Sequence, residues 1–230
     1  MRQNLFYTLL FLFTTSSLLA EDIVLSEADN RFSVTEKSYT SFSFINHLHK
    51  IKTRVVKTEF GDFTQLILPS YAKNSEIGSP ELPVLRQLIQ VPNGADIDIE
   101  VLKIKEETID LTENGFNLPI FPLQPSISKG DNAQEAPFYY NESRYQIDSF
   151  GQEQYVSTEY LGKMRGQQLA RLNISPIKYN PLSNELKVVT SLEVRIVFKN
   201  SNITENSLEI QRYYSPEFQN LYKKCINYLP

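Results

Sequence analysis

Apolar side chains recur at every second position along much of this chain. Ile97, Ile99 and Val101 alternate with Asp96, Asp98 and Glu100, and Leu192, Val194, Ile196 and Phe198 alternate with Glu193 and Arg195. A period of two is that of an extended strand with one buried and one wet face. Further β-rich runs occupy 42–45, 55–58, 63–68, 84–91, 169–174 and 186–189. Turn punctuation separates them: Pro92-Asn-Gly94 supplies a fixed φ and then a positive one, and Asn180-Pro-Leu-Ser-Asn184 joins two β-rich runs as a hairpin turn. Many short strands with such turns predict an all-β chain folded as an antiparallel, jelly-roll-like β-sandwich.

The pattern changes twice. Phe218, Leu221, Tyr222, Cys225 and Ile226 recur at spacings of three and four behind Ser215 and Pro216, which predicts one C-terminal amphipathic helix capped by Ser215. From 128 to 136 the chain is polar and rich in Gly, Asp, Asn, Gln and Glu, with Pro122, Pro125 and Pro137 around it. A loop of that length inside a compact domain is often functional. Pro80 and Pro83 cannot donate to a ladder, so the stretch containing them is expected to enter or edge a sheet.

The first residues read as a secretory signal. Arg2 precedes an apolar stretch from Leu5 to Phe13, and Leu18-Leu-Ala20 precedes Glu21, so cleavage after Ala20 is expected. The apolar stretch is too short to span a membrane, a task that takes about 20 residues. Nothing else along the chain qualifies, and no membrane span is expected after signal removal. Arg2 is the only charged residue in that segment, so its loss turns 23 basic and 27 acidic side chains into 22 and 27 and shifts the net charge from −4 to −5. A mildly acidic chain of this kind lacks the electrostatic footprint of a nucleic-acid or anionic-lipid binder. Cys225 is the single cysteine, which leaves an exported chain without an internal disulfide.

Candidate chemistry is sparse. Cys225 with His47 or His49 supplies the residue types of a cysteine peptidase, but a free cysteine on an apolar helix face is ordinarily a small buried hydrophobe. His47-Leu48-His49 places two imidazoles on one face of a strand, yet no partner motif completes a zinc set. No catalytic residue, metal site or cofactor is expected. Three sequons, at Asn141, Asn173 and Asn202, are too short to carry weight.

Several segments share their order and rough spacing with one known family. Gly78-Ser-Pro-Glu-Leu-Pro-Val84, Val91-Pro-Asn-Gly-Ala95, Gln124-Pro-Ser-Ile-Ser-Lys-Gly130, Leu161-Gly-Lys-Met-Arg-Gly166, the Tyr-Asn-Pro turn ending at Pro181 and Tyr214-Ser-Pro-Glu-Phe218 together resemble the N-terminal propeptide of the gingipain (peptidase family C25) cysteine peptidases. The wording is more similar to the lysine-specific branch. The resemblance implies a signal peptide over 1–20, a propeptide β-sandwich over 21–212, and over 213–230 a helix at the junction to a catalytic domain that this sequence does not contain. It also implies a bacterial protein, secreted or at the periplasm or cell surface.

Such propeptides quiet their enzyme by laying a loop along the substrate cleft, a basic side chain entering the specificity pocket. The matching positions are Ser128, Lys129 and Gly130, with Lys129 as the basic residue. Arg165, in the Met-Arg-Gly element, is the runner-up, although a structural turn explains it better; Arg144 lies outside the matched loop. The implied function is a non-catalytic inhibitor and folding module that keeps a caspase-fold cysteine endopeptidase latent, with that catalytic domain as partner in cis or in trans. The competing expectations are a non-inhibitory cell-surface binding or adhesion module, and the truncated front end of a C25 peptidase precursor.

Overall fold

The computed structural model describes residues 22–127, 130, 136–151 and 154–229; the expected signal segment and the positions Ser128 and Lys129 lie outside them. Twelve strands dominate: β1 (Asp22–Val24), β2 (Arg31–Lys37), β3 (Ser41–His47), β4 (Lys50–Thr58), β5 (Gly61–Ile67), β6 (Ala72–Lys73), β7 (Pro83–Val91), β8 (Asp96–Asp110), β9 (Val156–Met164), β10 (Gln167–Ile174), β11 (Ile177–Asn180) and β12 (Glu185–Lys199). They form a three-stranded sheet ordered β1-β4-β5, a four-stranded sheet ordered β6-β7-β10-β9, and a five-stranded sheet ordered β11-β12-β3-β2 with β8 on the other edge of β12. Every strand pairing is antiparallel. The all-β expectation holds.

The central strand β12 serves two cores. Leu186 and Val188 pack with Ile51, Leu66, Leu111, Ile120 and Ile177 in one cluster. Val189, Leu192, Val194, Ile196 and Phe198 pack with Phe42, Phe44, Ile89, Leu172 and Ile174 in the other. The change of face has a local cause: between Val189 and Ser191 the register against β8 slips, leaving Thr190 as an extra residue. One extra residue flips the side-chain parity, so even-numbered positions face one core before the bulge and the other core after it. The five-stranded sheet is thereby covered by the four-stranded sheet on one face and by the three-stranded sheet on the other.

Most turns form as the sequence predicts. Gly94 takes φ +73° in the turn where Ala95 N–H donates to Pro92 O at 3.1 Å. Asn184 is left-handed at the end of the β11–β12 hairpin, whose Asn180 Oδ1 accepts from Leu182 and Ser183 N–H. Pro83 opens β7 and Pro80 makes only an isolated bridge, to Pro122, as expected of residues without a donor. In the β8 alternation Ile97 and Ile99 pack on the core that holds Val194 and Phe198, whereas Val101 is 52% exposed on this edge strand, beside a register slip at Leu102.

Three helices complete the described residues: α1 (Glu142–Tyr145), α2 (Ile203–Arg212) and α3 (Pro216–Tyr222). The expected C-terminal helix is α3. Ser215 takes its N-cap position, but its hydroxyl donates to the Glu217 carboxylate instead of accepting a backbone N–H. An additional helix, α2, precedes it. Only Ile203, Leu208 and Ile210 among its residues are large and apolar, and none of its residues is buried, which is why periodicity missed it. Its start is fixed locally, by Asn202 Oδ1 accepting from Glu205 N–H.

Candidate functional site

The polar loop from 125 to 138 emerges from a base that is pinned on both limbs. The incoming limb, 119–123, is stitched along two edges. On one, Thr64 N–H donates to Pro119 O at 2.8 Å and Phe121 N–H donates to Thr64 O at 2.7 Å. On the other, Glu81 N–H donates to Phe121 O, Leu123 N–H to Ser79 O and Gly78 N–H to Leu123 O, each at 2.8 Å. The Gly-Ser-Pro-Glu-Leu-Pro motif is therefore a strut laid against the loop's entry. Pro80 fits because no hydrogen bond is asked of its nitrogen.

The strut is itself fixed. Glu81 is buried, accepts from Gln65 Nε2 at 2.6 Å and pairs with Lys73 Nζ at 2.7 Å, while Gln65 Oε1 accepts from Arg54 Nε at 2.7 Å. A carboxylate held this way meets the requirement that a buried charge be paired and hydrogen-bonded. Asn74 closes the far end, donating from Nδ2 to Pro80 O at 2.9 Å and accepting from Leu82 N–H at 3.2 Å.

The outgoing limb is held by a clamp across the loop. The Gln124 side-chain amide donates to Tyr139 O at 2.8 Å and accepts from Tyr139 N–H at 2.9 Å, bridging 15 positions of sequence. Asn141 N–H donates to Gly78 O at 3.0 Å, and the buried Tyr145 hydroxyl donates to Ile120 O at 2.7 Å. Burial pushes the Tyr145 phenol far above the ordinary tyrosine range. Arg144 makes a bidentate pair with Glu76 at 2.8 and 2.7 Å, and that guanidinium holds the Glu76 carboxyl below the usual range. Aromatic rings line the same base: Phe138 touches Phe60, Phe63 and Phe121, Phe63 touches Tyr140, and Tyr140 stacks on Tyr145 at 4.4 Å.

The sequence-selected residues fall in different places. Gly130 is exposed, with open space where a Cβ would point; Ser128 and Lys129 lie outside the described residues. Arg165 sits with Gly166 in the two-residue turn of the β9–β10 hairpin, both at positive φ (45° and 81°), its guanidinium 4.4 Å from the centre of the Phe218 ring. Positive φ at both central positions is the geometry of the tight turn that matches strand twist. Arg144 is occupied by Glu76. Sequence reasoning missed Gln124, Tyr139, Asn141 and Tyr145, since a side-chain clamp has no periodic signature.

The peptidase-like trio does not assemble. Cys225 lies just beyond α3, 3% exposed, with its thiol pushed up to about 11 by burial, so the nucleophilic thiolate is disfavoured. Its neighbour Ile226 donates to Leu88 O, and the Asn227 amide accepts from Gln90 N–H and donates to Gln90 O, both at 2.8 Å. This segment thus continues the ladder on the free edge of β7. His47 and His49 stack on each other at 5.7 Å beside Ser26, whose hydroxyl is 2.7 Å from His49 Nδ1. Among the described residues no group of three or more His, Cys, Asp or Glu side chains is arranged to hold a metal. Also among them, no helix is long and apolar enough to cross a membrane.

The profile of the Propeptide_C25 family matches residues 29–215. The chain belongs to the C25 propeptide family. Lys-gingipain from Porphyromonas gingivalis is 31% identical over 205 residues, 89% of this chain but 12% of that protein's length. Gingipain R1 from the same species is 27% identical over 85% of this chain and 19% of its own length. A solved structure concerned with the zymogenic latency of gingipain K from Porphyromonas gingivalis has a TM-score of 0.73 and 32% identity, covering 80% of this chain and 100% of that one. The complex of the Porphyromonas gingivalis RgpB pro- and mature domains has a TM-score of 0.69 at 20% identity, covering 86% of this chain and 98% of that one, which speaks for the fold. The antiparallel sandwich is thus the fold of this propeptide family.

Proposed function

We propose that this chain keeps a gingipain-type cysteine peptidase catalytic domain latent, without catalysing a reaction itself, by presenting the loop between Gln124 and Tyr139 to the substrate cleft. The observation that carries this reading is the pinned base: two hydrogen-bonded limbs and the Gln124 amide clamp fix where the loop leaves the sandwich. A loop held at both ends gives up less conformational freedom on docking than a free peptide would. The solved relative concerned with zymogenic latency makes the same function the natural one here, and the Porphyromonas relatives agree with a bacterial source; export, and action in cis or in trans, are part of the proposal.

Lys129 is the residue proposed to fill the specificity pocket, flanked by Ser128 and Gly130. Arg165 is committed to a turn and to Phe218, and Arg144 to Glu76, so neither is positioned as the pocket-filling cation. An ammonium group entering an acidic pocket exchanges water for a charge-assisted hydrogen bond. Losing that bond, at about 1.5–3 kcal/mol, corresponds to roughly tenfold to hundredfold weaker inhibition by Lys129→Ala. Titration of a Lys-preferring gingipain-type peptidase with both forms tests it: an unchanged inhibition constant for the folded variant removes Lys129 from the mechanism. Absence of inhibition by the wild-type chain removes the latency reading and leaves a non-inhibitory binding module.

A further inference from the structure

We propose that the aromatic face framing the loop base is a second docking surface, one that receives the apolar rim of the peptidase's substrate cleft. The inference rests on the latency reading above and adds to it a contact outside the specificity pocket. Phe60, at the tip of the β4–β5 hairpin, is 67% exposed, and Tyr139 and Tyr140, which follow its stacking partner Phe138 along the outgoing limb, are exposed as well. Isolated exposed apolar residues are ordinary, but several gathered at one site mark an interaction surface.

The rings are held in place before any partner arrives. Phe60 stacks on Phe138 at 4.8 Å with 10° between planes, Phe138 packs on Phe63 at 5.9 Å, Phe63 on Tyr140 at 6.2 Å, and Tyr140 on buried Tyr145 at 4.4 Å. This ladder runs from the solvent to the core. Phe60 therefore presents a large apolar surface already seated against a second ring, an arrangement that lowers the ordering cost of binding. Exposed Glu59, Asp62 and Glu142 surround it as a polar rim.

Reach identifies the occupant. Lys129 follows Gln124 by five residues, so a fully extended chain carries its Cα no more than about 17 Å from the clamp. A cleft that accepts this side chain through the loop therefore has part of its rim within that distance of the clamp and of the rings beside it. The loop itself is a poor cover for them: the stretch from 128 to 136 contains no large apolar side chain.

The test measures the affinity of the chain for a Lys-preferring gingipain-type peptidase whose catalytic cysteine has been alkylated, so that binding is read without turnover. Phe60→Ala is expected to weaken Kd about tenfold and Phe60→Leu only a few-fold, both with a fold that still melts cooperatively and a melting temperature lowered only by loss of the stack on Phe138 at an exposed hairpin tip. The loss should persist in the Lys129→Ala background, which a pocket-only interface would not show. Wild-type binding together with a Phe60→Ala Kd within twofold of it overturns the platform and leaves latency standing. Wild-type chain that does not bind at all overturns both. Light scattering that shows the chain alone dimerising, and Phe60→Ala abolishing the dimer while leaving peptidase affinity intact, assigns the face to a second copy and likewise overturns the proposal.

Discussion

Gly78 is where the strut and the outgoing limb come closest, and Gly78→Ala measures what that approach contributes. Two costs add. The residue sits at φ +80°, a left-handed conformation that costs an L-residue roughly 1–2 kcal/mol. A Cβ there would lie 3.0 Å from Asn141 N and 3.4 Å from Asn141 Cβ, so the limb must move and the 3.0 Å bond from Asn141 N–H to Gly78 O weakens. A net hydrogen bond is worth about 1 kcal/mol, and the smaller entropy of the unfolded alanine chain returns roughly 0.4–1 kcal/mol. The loss should be about 1–2.5 kcal/mol, read as a lower urea midpoint with unchanged slope. Gly94→Ala is the control, because Gly94 is also left-handed at φ +73° but its Cβ would meet nothing within 4 Å. That variant should lose only the conformational part, about 1 kcal/mol. Equal losses for the two alanines, within about 0.5 kcal/mol, would refute the claim that Gly78 is constrained by the loop limb.

Two further outcomes follow from the C-terminal segment. Asn227→Ala should destabilise the chain by about 2–3 kcal/mol in urea unfolding, because Gln90 loses both its partners on the free edge of β7; a change below about 0.5 kcal/mol would mean water replaces the amide freely. Cys225 should react slowly with a thiol reagent at neutral pH, and its thiol, held up to about 11, should make stability fall as pH rises. The sign follows from linkage: the unfolded thiol ionises near about 8.5, so between there and about 11 the folded chain holds the extra proton and loses ground with each step up in pH. The full effect is on the order of 3 kcal/mol, and Cys225→Ala should lack it; an identical alkaline slope in that variant assigns the loss to the buried tyrosines instead.

The strands were legible because their burial is one-sided, which writes a period of two into the sequence. What the pattern could not show is the switch of face within β12. Leu186, Val188, Leu192, Val194, Ile196 and Phe198 are all even-numbered and read as a single stripe, yet they divide between two cores because one unpaired residue, Thr190, resets the parity. A bulge is defined by its partner strand, and the partner, β8, lies some 80 positions earlier in register, with Val189 opposite Glu106 and Ser191 opposite Lys105. The helix α2 was hidden for the opposite reason: it buries no residue, so no stripe was required of it.

The same contrast governs the site. The Gly-Ser-Pro-Glu-Leu-Pro motif and the Gln-Pro-Ser-Ile-Ser-Lys segment stood out as wording, and the prolines correctly placed the first at a sheet margin. That the two belong together was not readable, because their contact is made by Gly78, Ser79 and Glu81 backbone groups meeting Phe121 and Leu123, and backbone bonds carry no residue signature. Physically the pairing explains why a buried carboxylate is tolerated 16 positions from its glutamine partner: Glu81 anchors the strut through Gln65 and Lys73, the strut anchors the incoming limb, and Gln124 returns the outgoing limb to the same base. Rigidity at the base and polarity beyond it are opposite demands on one segment. The chain meets them by concentrating aromatic rings and hydrogen bonds in 119–124 and 138–145 and leaving the sequence between without a large apolar side chain after Ile127, the composition of a segment that no core requires.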